Sequence, residues 1–383
     1  MSRIRHLTAD DIEAVASLYE SSMRSGSPVP PANLVASFSS FLVTSGSPDG
    51  QIHSLVCEDH RGEIIGFLAV HHRHLILNGR RVLAVCAGPM VVEAKSRDSA
   101  VAVFLLREVL MGPQELTLTD GATEAARRLW ERLGGAVWWL ACHEWTRVFR
   151  PVQFSMKLLA ERPKVARIFE PVRRLAWPLS VSSDALVRLL VGRQLWPVET
   201  DRSGLVEDLT PESMLEAWPE LSRGLSLKPD YNVDYLRWLF EAMRAFRGLG
   251  HFRARLVRDK DKQILGCYLY YLRRGGVSQV AQVIAKSTRA EMVLGHLFRE
   301  ADQGGSIALQ GRLEPHLVEP LARLGVHSRY TPPLALVHTK NSAIYSALFT
   351  GAGLLTRAEG EWWRTFHLEL AREDEELGKR VEL

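Results

Sequence analysis

The feature that most constrains this chain is that it reads twice. Leu129-Trp-Glu-Arg-Leu-Gly134 is matched by Pro320-Leu-Ala-Arg-Leu-Gly325, and Glu115-Leu-Thr-Leu-Thr119 by Ser306-Ile-Ala-Leu-Gln310. Arg97 is followed ten residues on by Arg107-Glu108, and Arg289 ten residues on by Arg299-Glu300. Each of these segments follows an Ala-Lys-Ser triplet, with the triplets one residue out of step. A repeat on this scale restricts the fold before any single residue does, because both halves must build the same supersecondary unit.

The order of elements supports two copies. Residues 3 to 7 read as a strand, and Thr8 caps a helix with Asp11 in the capping-box position; Ile12, Val15, Ala16 and Tyr19 give that helix one apolar face. Gly26 to Pro31 breaks the chain before a second helix over 33 to 43. Strands over 52 to 58, 63 to 77 and 80 to 92 follow, the last two joined by Asn78-Gly79, a strong hairpin signal. A helix (98 to 110), a strand (115 to 119), a helix (122 to 133) and a strand from Ala136 onward complete the first copy. The second copy repeats the pattern, with Thr210-Pro211 in the cap and first helical positions. It has strands over 251 to 258, 263 to 273 and 276 to 284, a helix (289 to 301), a strand (306 to 310) and a helix (313 to 324).

The fold class expected is therefore mixed α/β with α+β-like layers: two domains, each a mostly antiparallel mixed sheet flanked by helices. The boundaries read as 1–150 and 203–383, with 151–202 as a basic helical linker. From Arg150 to Arg202 there are ten Lys/Arg against five Asp/Glu, an excess of five beside a net charge of +4 for the whole chain, so the flanking regions are together nearly neutral. Interleaved Phe154, Leu158, Phe169, Leu175, Trp177, Leu186 and Leu189 are too numerous to stay exposed, which favours packed helices with basic faces over a membrane or nucleic-acid surface.

Composition narrows the class further. Apolar residues make up 46% and charged residues 24% of the 383, the profile of a globular protein. No uncharged apolar run reaches membrane length, and Met1 to Asp10 lacks the apolar core of a secretory signal, so a cytoplasmic protein is expected. Cys57, Cys86, Cys142 and Cys267 are scattered among apolar neighbours without metal-ligand spacing, which predicts buried free thiols and no metal site. His72 and His74 share a strand face and His71 points away, with no further ligands beside them.

The repeated unit resembles the GNAT superfamily of acyl-CoA-dependent N-acyltransferases, in which a strand and two helices precede a three-stranded meander. In that family β4 ends in an Arg/Gln-x-x-Gly-x-Gly/Ala loop opening the third helix. The resemblance implies that backbone N–H groups and the helix N-terminus receive the pyrophosphate of coenzyme A. Here Arg97, Ala100 and Ala102 occupy the marked positions, so the implied cofactor-binding run is Met90, Val91, Val92, Arg97, Asp98, Ser99, Ala100, Val101 and Ala102. In the second copy Arg289 is kept, but Met292 and Leu294 fill the small positions. Taken alone, Arg97 and Arg289 read as solvated arginines of a first helical turn. The two-copy layout and the Tyr235-Leu-Arg-Trp238 string also look like tandem and FemAB-like bacterial members, although Tyr235, Trp238 and Leu239 at helical spacing read more strongly as a core face.

The resemblance also locates the chemistry. Acyl transfer needs a base for the amine, donors for the oxyanion and an acid for the leaving thiolate. The oxyanion contact maps near Met90 to Val92, after Gly88-Pro89. Trp130 stands where the family often has an acidic tyrosine, and Leu321 stands there in the second copy. Glu93 and Asp120 are the candidate bases, with Glu58, His71 and His72 as further groups near the same strands. The expected function is transfer of an acyl group, acetyl first, from acetyl-CoA or another acyl-CoA to a small amine such as an amino sugar or amino acid. Nucleic acid is not an expected partner, and a homodimer is left open. Two rivals remain: a non-catalytic tandem binding protein, and a FemAB-like transferase using aminoacyl-tRNA.

Overall fold

The computed structural model describes residues 2–24, 29–39, 42, 52–96, 100–160, 183–184, 204–246 and 248–362. It contains two sheets of mostly antiparallel strands flanked by helices. The first half runs β1 (Arg3–His6), α1 (Ile12–Tyr19), α2 (Ala32–Phe38), β2 (Leu55–Glu58), β3 (Ile64–Leu77) and β4 (Arg80–Val92). It continues with α3 (Val101–Leu110), β5 (Leu116–Ala122), α4 (Glu124–Arg132) and the short β6 (Ala136–Val137). Then come β7 (His143–Val148), β8 (Leu205–Asp208), β9 (Leu227–Pro229), β10 (His251–Arg258), β11 (Ile264–Leu272), β12 (Val277–Ala285), β13 (Ala308–Arg312), β14 (His327–Tyr330) and β15 (Leu334–His338). The helices of this half include Pro211–Leu221, Val233–Ala245, Ala290–Gln303, Val318–Arg323 and Ser342–Thr350.

The repeat extends to individual residues. Cys57 and Glu58 face Gly66 and Ile64 across a register shift, and Val257 and Arg258 face Gly266 and Ile264 across the same shift. Asp59 Oδ1 accepts from the N–H groups of Arg61 (2.8 Å) and Glu63 (3.0 Å), and Asp259 Oδ1 from those of Asp261 and Gln263 (both 2.9 Å). An aspartate side chain satisfying its own turn is a local device needing no tertiary help. The strand after each turn is bulged against its neighbour, between Leu68 and Val70 in one copy and Leu269 and Tyr270 in the other.

The contiguous division at 150 and 203 is where sequence and structure differ. One compact unit comprises residues 1–142, 224–232 and 331–383, and the other 143–223 and 233–330. The first sheet is ordered β1-β2-β3-β4-β5-β15-β6, with β9 on β3; the second is β14-β7-β13-β12-β11-β10-β8. The strand expected from Ala136 onward therefore divides at a tight turn over Trp139–Cys142, and its second part joins the other sheet. Trp145 explains why β7 stays there: it is fully buried, its ring rests where a Cβ on Gly311 would stand, and its Nε1 donates to the Arg312 carbonyl at 3.1 Å. Burial of such a side chain contributes on the order of 3 kcal/mol. In return β15, with Leu334 to Val337 all buried, pairs antiparallel with β5 and β6. Of the expected linker, Pro151–Ala160 is helical, with Asp184 accepting from the Val152 N–H at 2.7 Å, and Phe154 packs on Val277, Ile307 and Ala308. Apart from residues 183–184, the rest of that segment lies outside the described residues.

Two outcomes test this architecture. Residues 1–150 expressed alone, lacking β15, should show no cooperative unfolding transition, and co-expression with residues 331–383 should restore one. Acid titration should reveal the pairing of β1 with the first turn. The Arg5 guanidinium donates to both Asp11 oxygens (2.7 and 2.8 Å), and this holds the Asp11 carboxyl down to about 2, with the Thr8 N–H assisting. Because the folded value lies below the unfolded one, its stabilisation is complete above about pH 4 and lost as pH falls toward 2. Asp11→Asn should flatten that part of the stability profile, read by denaturant midpoint against pH.

Candidate functional site

The site originates where two parallel strands stop pairing. β4 and β5 are matched at Ala84 with Leu116, Val85 with Thr117 and Cys86 with Leu118, and no further. β4 then passes through Gly88 and Pro89, joined by a cis peptide. Proline has no N–H to give a ladder, and the β3–β4 bulge at this point bends the strand. Beyond the last matched pair the strands border a cleft of roughly 330 Å³. Its walls are Ala87 to Val92 on β4, Thr119, Gly121 and Ala122 on β5, Ala102 and Leu106 on α3, and Ala125, Ala126, Leu129 and Trp130 on α4.

Among the described residues lining this cleft, Glu361 supplies the only carboxylate. It comes from the far end of the chain and is 4% exposed. Thr119 Oγ1 donates to Glu361 Oε1, and Asp120 Oδ1 accepts the backbone N–H groups of Glu361 (2.7 Å) and Trp362 (2.9 Å). The preceding turn is fastened as well. Glu359 Oε2 accepts from the Thr356 N–H (2.7 Å) and hydroxyl (2.8 Å), Tyr231 donates to Glu359 Oε1, and the Arg357 guanidinium lies 4.2 Å from the centre of the Trp362 ring. Two glycines make the approach feasible: a Cβ on Gly88 would overlap the Glu361 carboxylate, and one on Gly360 would overlap the Asp120 carboxylate. Gly88 also holds φ at +151°, where side chains are strained.

The positions singled out in the sequence separate into distinct groups. Met90, Val91, Val92 and Ala102 line the cleft. Ala100 is the cap residue of α3, whereas Val101 is 2% exposed and packs into the core against the position of Gly66. Arg97, Asp98 and Ser99 lie outside the described residues. Glu93 is not part of the lining and stands 3.8 Å from Lys95. Asp120 is not part of the lining, and its carboxylate is engaged with the backbone of residues 361 and 362. Glu58 is tied to Arg5 at 2.6 Å, and His71 is buried on β3. His72 and His74 meet edge to face at 6.3 Å. All four cysteines are free and buried, and burial raises the Cys57 thiol and pushes Cys267 up to about 12, away from nucleophilic use. Among the described residues no cluster of side chains has the makings of a metal site.

Trp130 and Leu321 occupy equivalent places, each carbonyl accepting from the N–H five residues on, Gly135 at 2.8 Å and Val326 at 2.9 Å. Both are buried, at 3% and 2%. In the second copy Leu294 is fully buried inside its helix. Sequence reading missed Glu361 and the part played by Thr119. The one local hint was a glycine between two glutamates before paired tryptophans, Glu359-Gly360-Glu361-Trp362-Trp363.

The architecture is that of known proteins. The chain is similar to a conserved protein of Enterococcus faecalis V583 described as a probable N-acyltransferase, with a TM-score of 0.56 at 9% identity, over 88% of this chain and 72% of that one. It is also similar to GCN5-related N-acetyltransferases of Anabaena variabilis (TM-score 0.55, 11% identity, 89% and 74% covered) and Kribbella flavida (0.52, 15%, 92% and 73%). The fold is thus that of the GCN5-related N-acetyltransferases. No protein-family model and no curated protein matches the sequence.

Replacing Gly88 with Ala should cost about 1–3 kcal/mol, since it combines an unfavourable backbone angle with displacement of a buried carboxylate. Gly360→Ala should cost a similar amount by pushing on Asp120, and both losses should appear as lower thermal midpoints.

Proposed function

We propose that the first unit is an acyl-CoA-dependent N-acyltransferase that moves an acyl group, acetyl first, to the primary amine of a small molecule. The observation that carries this reading is the parting of β4 from β5 beside the start of α3. It opens a mostly apolar cleft from Ala102 to a buried carboxylate. A pantetheine arm is a narrow chain with amide groups, and backbone freed from a strand ladder is its natural partner. Its pyrophosphate would lie at the α3 N-terminus, where the first-turn N–H groups lack partners within the helix. Ala100 and Ala102 keep that approach open, and Arg97, three residues earlier in the sequence than Ala100, would add charge.

The same reasoning disfavours the second unit as a cofactor site. Leu294, matched to Ala102, belongs to the core, and Met292, matched to Ala100, is a long side chain on the same turn. With Trp130 in place of an acidic side chain, the departing thiolate takes its proton from solvent or from the proton released by the amine. Four buried thiols fit a reducing, cytoplasmic setting. No helix among the described residues is long and apolar enough to cross a membrane.

Acetyl-CoA at about a hundred times its dissociation constant should stabilise the protein by roughly 2.7 kcal/mol, an easily measured thermal shift. Ala102→Leu should abolish that shift and Leu294→Ala should leave it intact. A full shift in Ala102→Leu would place the cofactor elsewhere.

A further inference from the structure

We propose that Glu361, delivered by the C-terminal segment, is the proton acceptor of this transfer, and that the acceptor substrate is a primary amine on an apolar body. The proposal rests on the acyl-CoA reading above. Its first support is position. Cys86 and Leu118 are the last matched pair of β4 and β5, and Glu361 lies against Gly88 and Thr119, the residues just beyond that pair. A thioester reaching the end of the cleft meets this carboxylate.

The second support is the extent to which the chain is arranged around one side chain. Asp120 fixes the backbone of residues 361 and 362, Gly88 and Gly360 leave room, and Thr119 orients one carboxylate oxygen. The earlier candidates do not compete. Glu93 stands outside the lining beside Lys95, and Asp120 is committed to backbone.

The substrate class follows from the other walls. Besides Glu361 the cleft lining includes Tyr19, Met23, Leu68, Pro89 and Trp130, a mostly apolar surface with few groups for pairing hydroxyls. A polyhydroxylated acceptor would have to shed water without compensation, at a cost of about 1–3 kcal/mol for each group left unpaired. An alkyl or arylalkyl amine has only its nitrogen to satisfy. In the reaction that nitrogen attacks the thioester carbonyl carbon and a C–N bond forms. The N–H proton passes to Glu361, and the C–S bond breaks with its electron pair leaving on sulfur. The proton held by Glu361 then reaches the thiolate, giving amide and free coenzyme A thiol with nothing added or lost.

Release of free thiol from acetyl-CoA should be followed with 2-phenylethylamine, hexylamine and glucosamine. Wild type should favour either apolar amine over glucosamine by at least tenfold in kcat/KM. Glu361→Gln still accepts the Thr119 hydrogen bond, so it should fold, keep the acetyl-CoA thermal shift and lose about a hundredfold or more in kcat at neutral pH. Its residual rate should keep rising with pH where the wild-type rate has levelled. Wild-type kcat and pH profile in Glu361→Gln would overturn the assignment of the base while leaving acyl-CoA binding standing. Preference for glucosamine would overturn the substrate class. A wild type with neither thermal shift nor thiol release would overturn the acyl-CoA reading, and this proposal with it.

Discussion

Separating β4 from β5 is the constraint on which the first unit is built. Neighbouring strands that cease to pair leave main-chain donors and acceptors to be satisfied in some other way, and a buried one without a partner is costly. Three features surround the opening. On its other edge β5 keeps a ladder with β15, from Ala122 back to Thr117. Asp120 turns its carboxylate to the chain beyond and binds two successive N–H groups. Glu361 enters the opening and takes the Thr119 hydroxyl. Glu361 thus shares the cleft lining with residues of β4, β5, α3 and α4.

The two copies show which parts of the unit are scaffold and which are free to differ. The Asp59 and Asp259 turns, the register shifts beside Gly66 and Gly266 and a bulge two or three pairs further on are kept, because they set the twist and bend of the sheet. The surroundings of the opening are not kept. By register, Leu68 of the cleft corresponds to Tyr268, a fully buried residue whose hydroxyl donates to Glu300 at 2.8 Å. Burial and the neighbouring Glu300 carboxylate hold that phenol well above its ordinary range, so it serves as a fixed donor. Glu300 also accepts from Arg255 at 2.9 Å, a network with the character of a core device.

Much of the fold was legible because its signals are local. Asn78 adopts φ of +49° and Gly79 of +84°, the values that an Asn-Gly hairpin demands. Thr210 accepts from the Ser213 N–H at 3.1 Å and caps its helix as a threonine before proline should. The helices of each repeat and the meander strands lie within a few residues of their expected bounds. Met90, Val91, Val92 and Ala102 line the cleft, but it was the family resemblance, and not strand or helix spacing, that singled them out.

Partnership over long separations was not legible. The apolar alternation of His143–Val148 and Leu334–His338 predicts strands but names no neighbour, because any sheet edge offers the same hydrogen bonds. Only packing decides, through Trp145 against Gly311 and through buried Leu334 to Val337 beside β5. Glu361 is the extreme case: its nearest functional partner, Thr119, is 242 residues away in the chain. By itself the sequence determined the repeated unit, its turns and its caps, all set by contacts within a few residues. Tertiary structure decided which strand completes each sheet and which carboxylate enters the cleft, because burial and close approach exist only once distant segments have met.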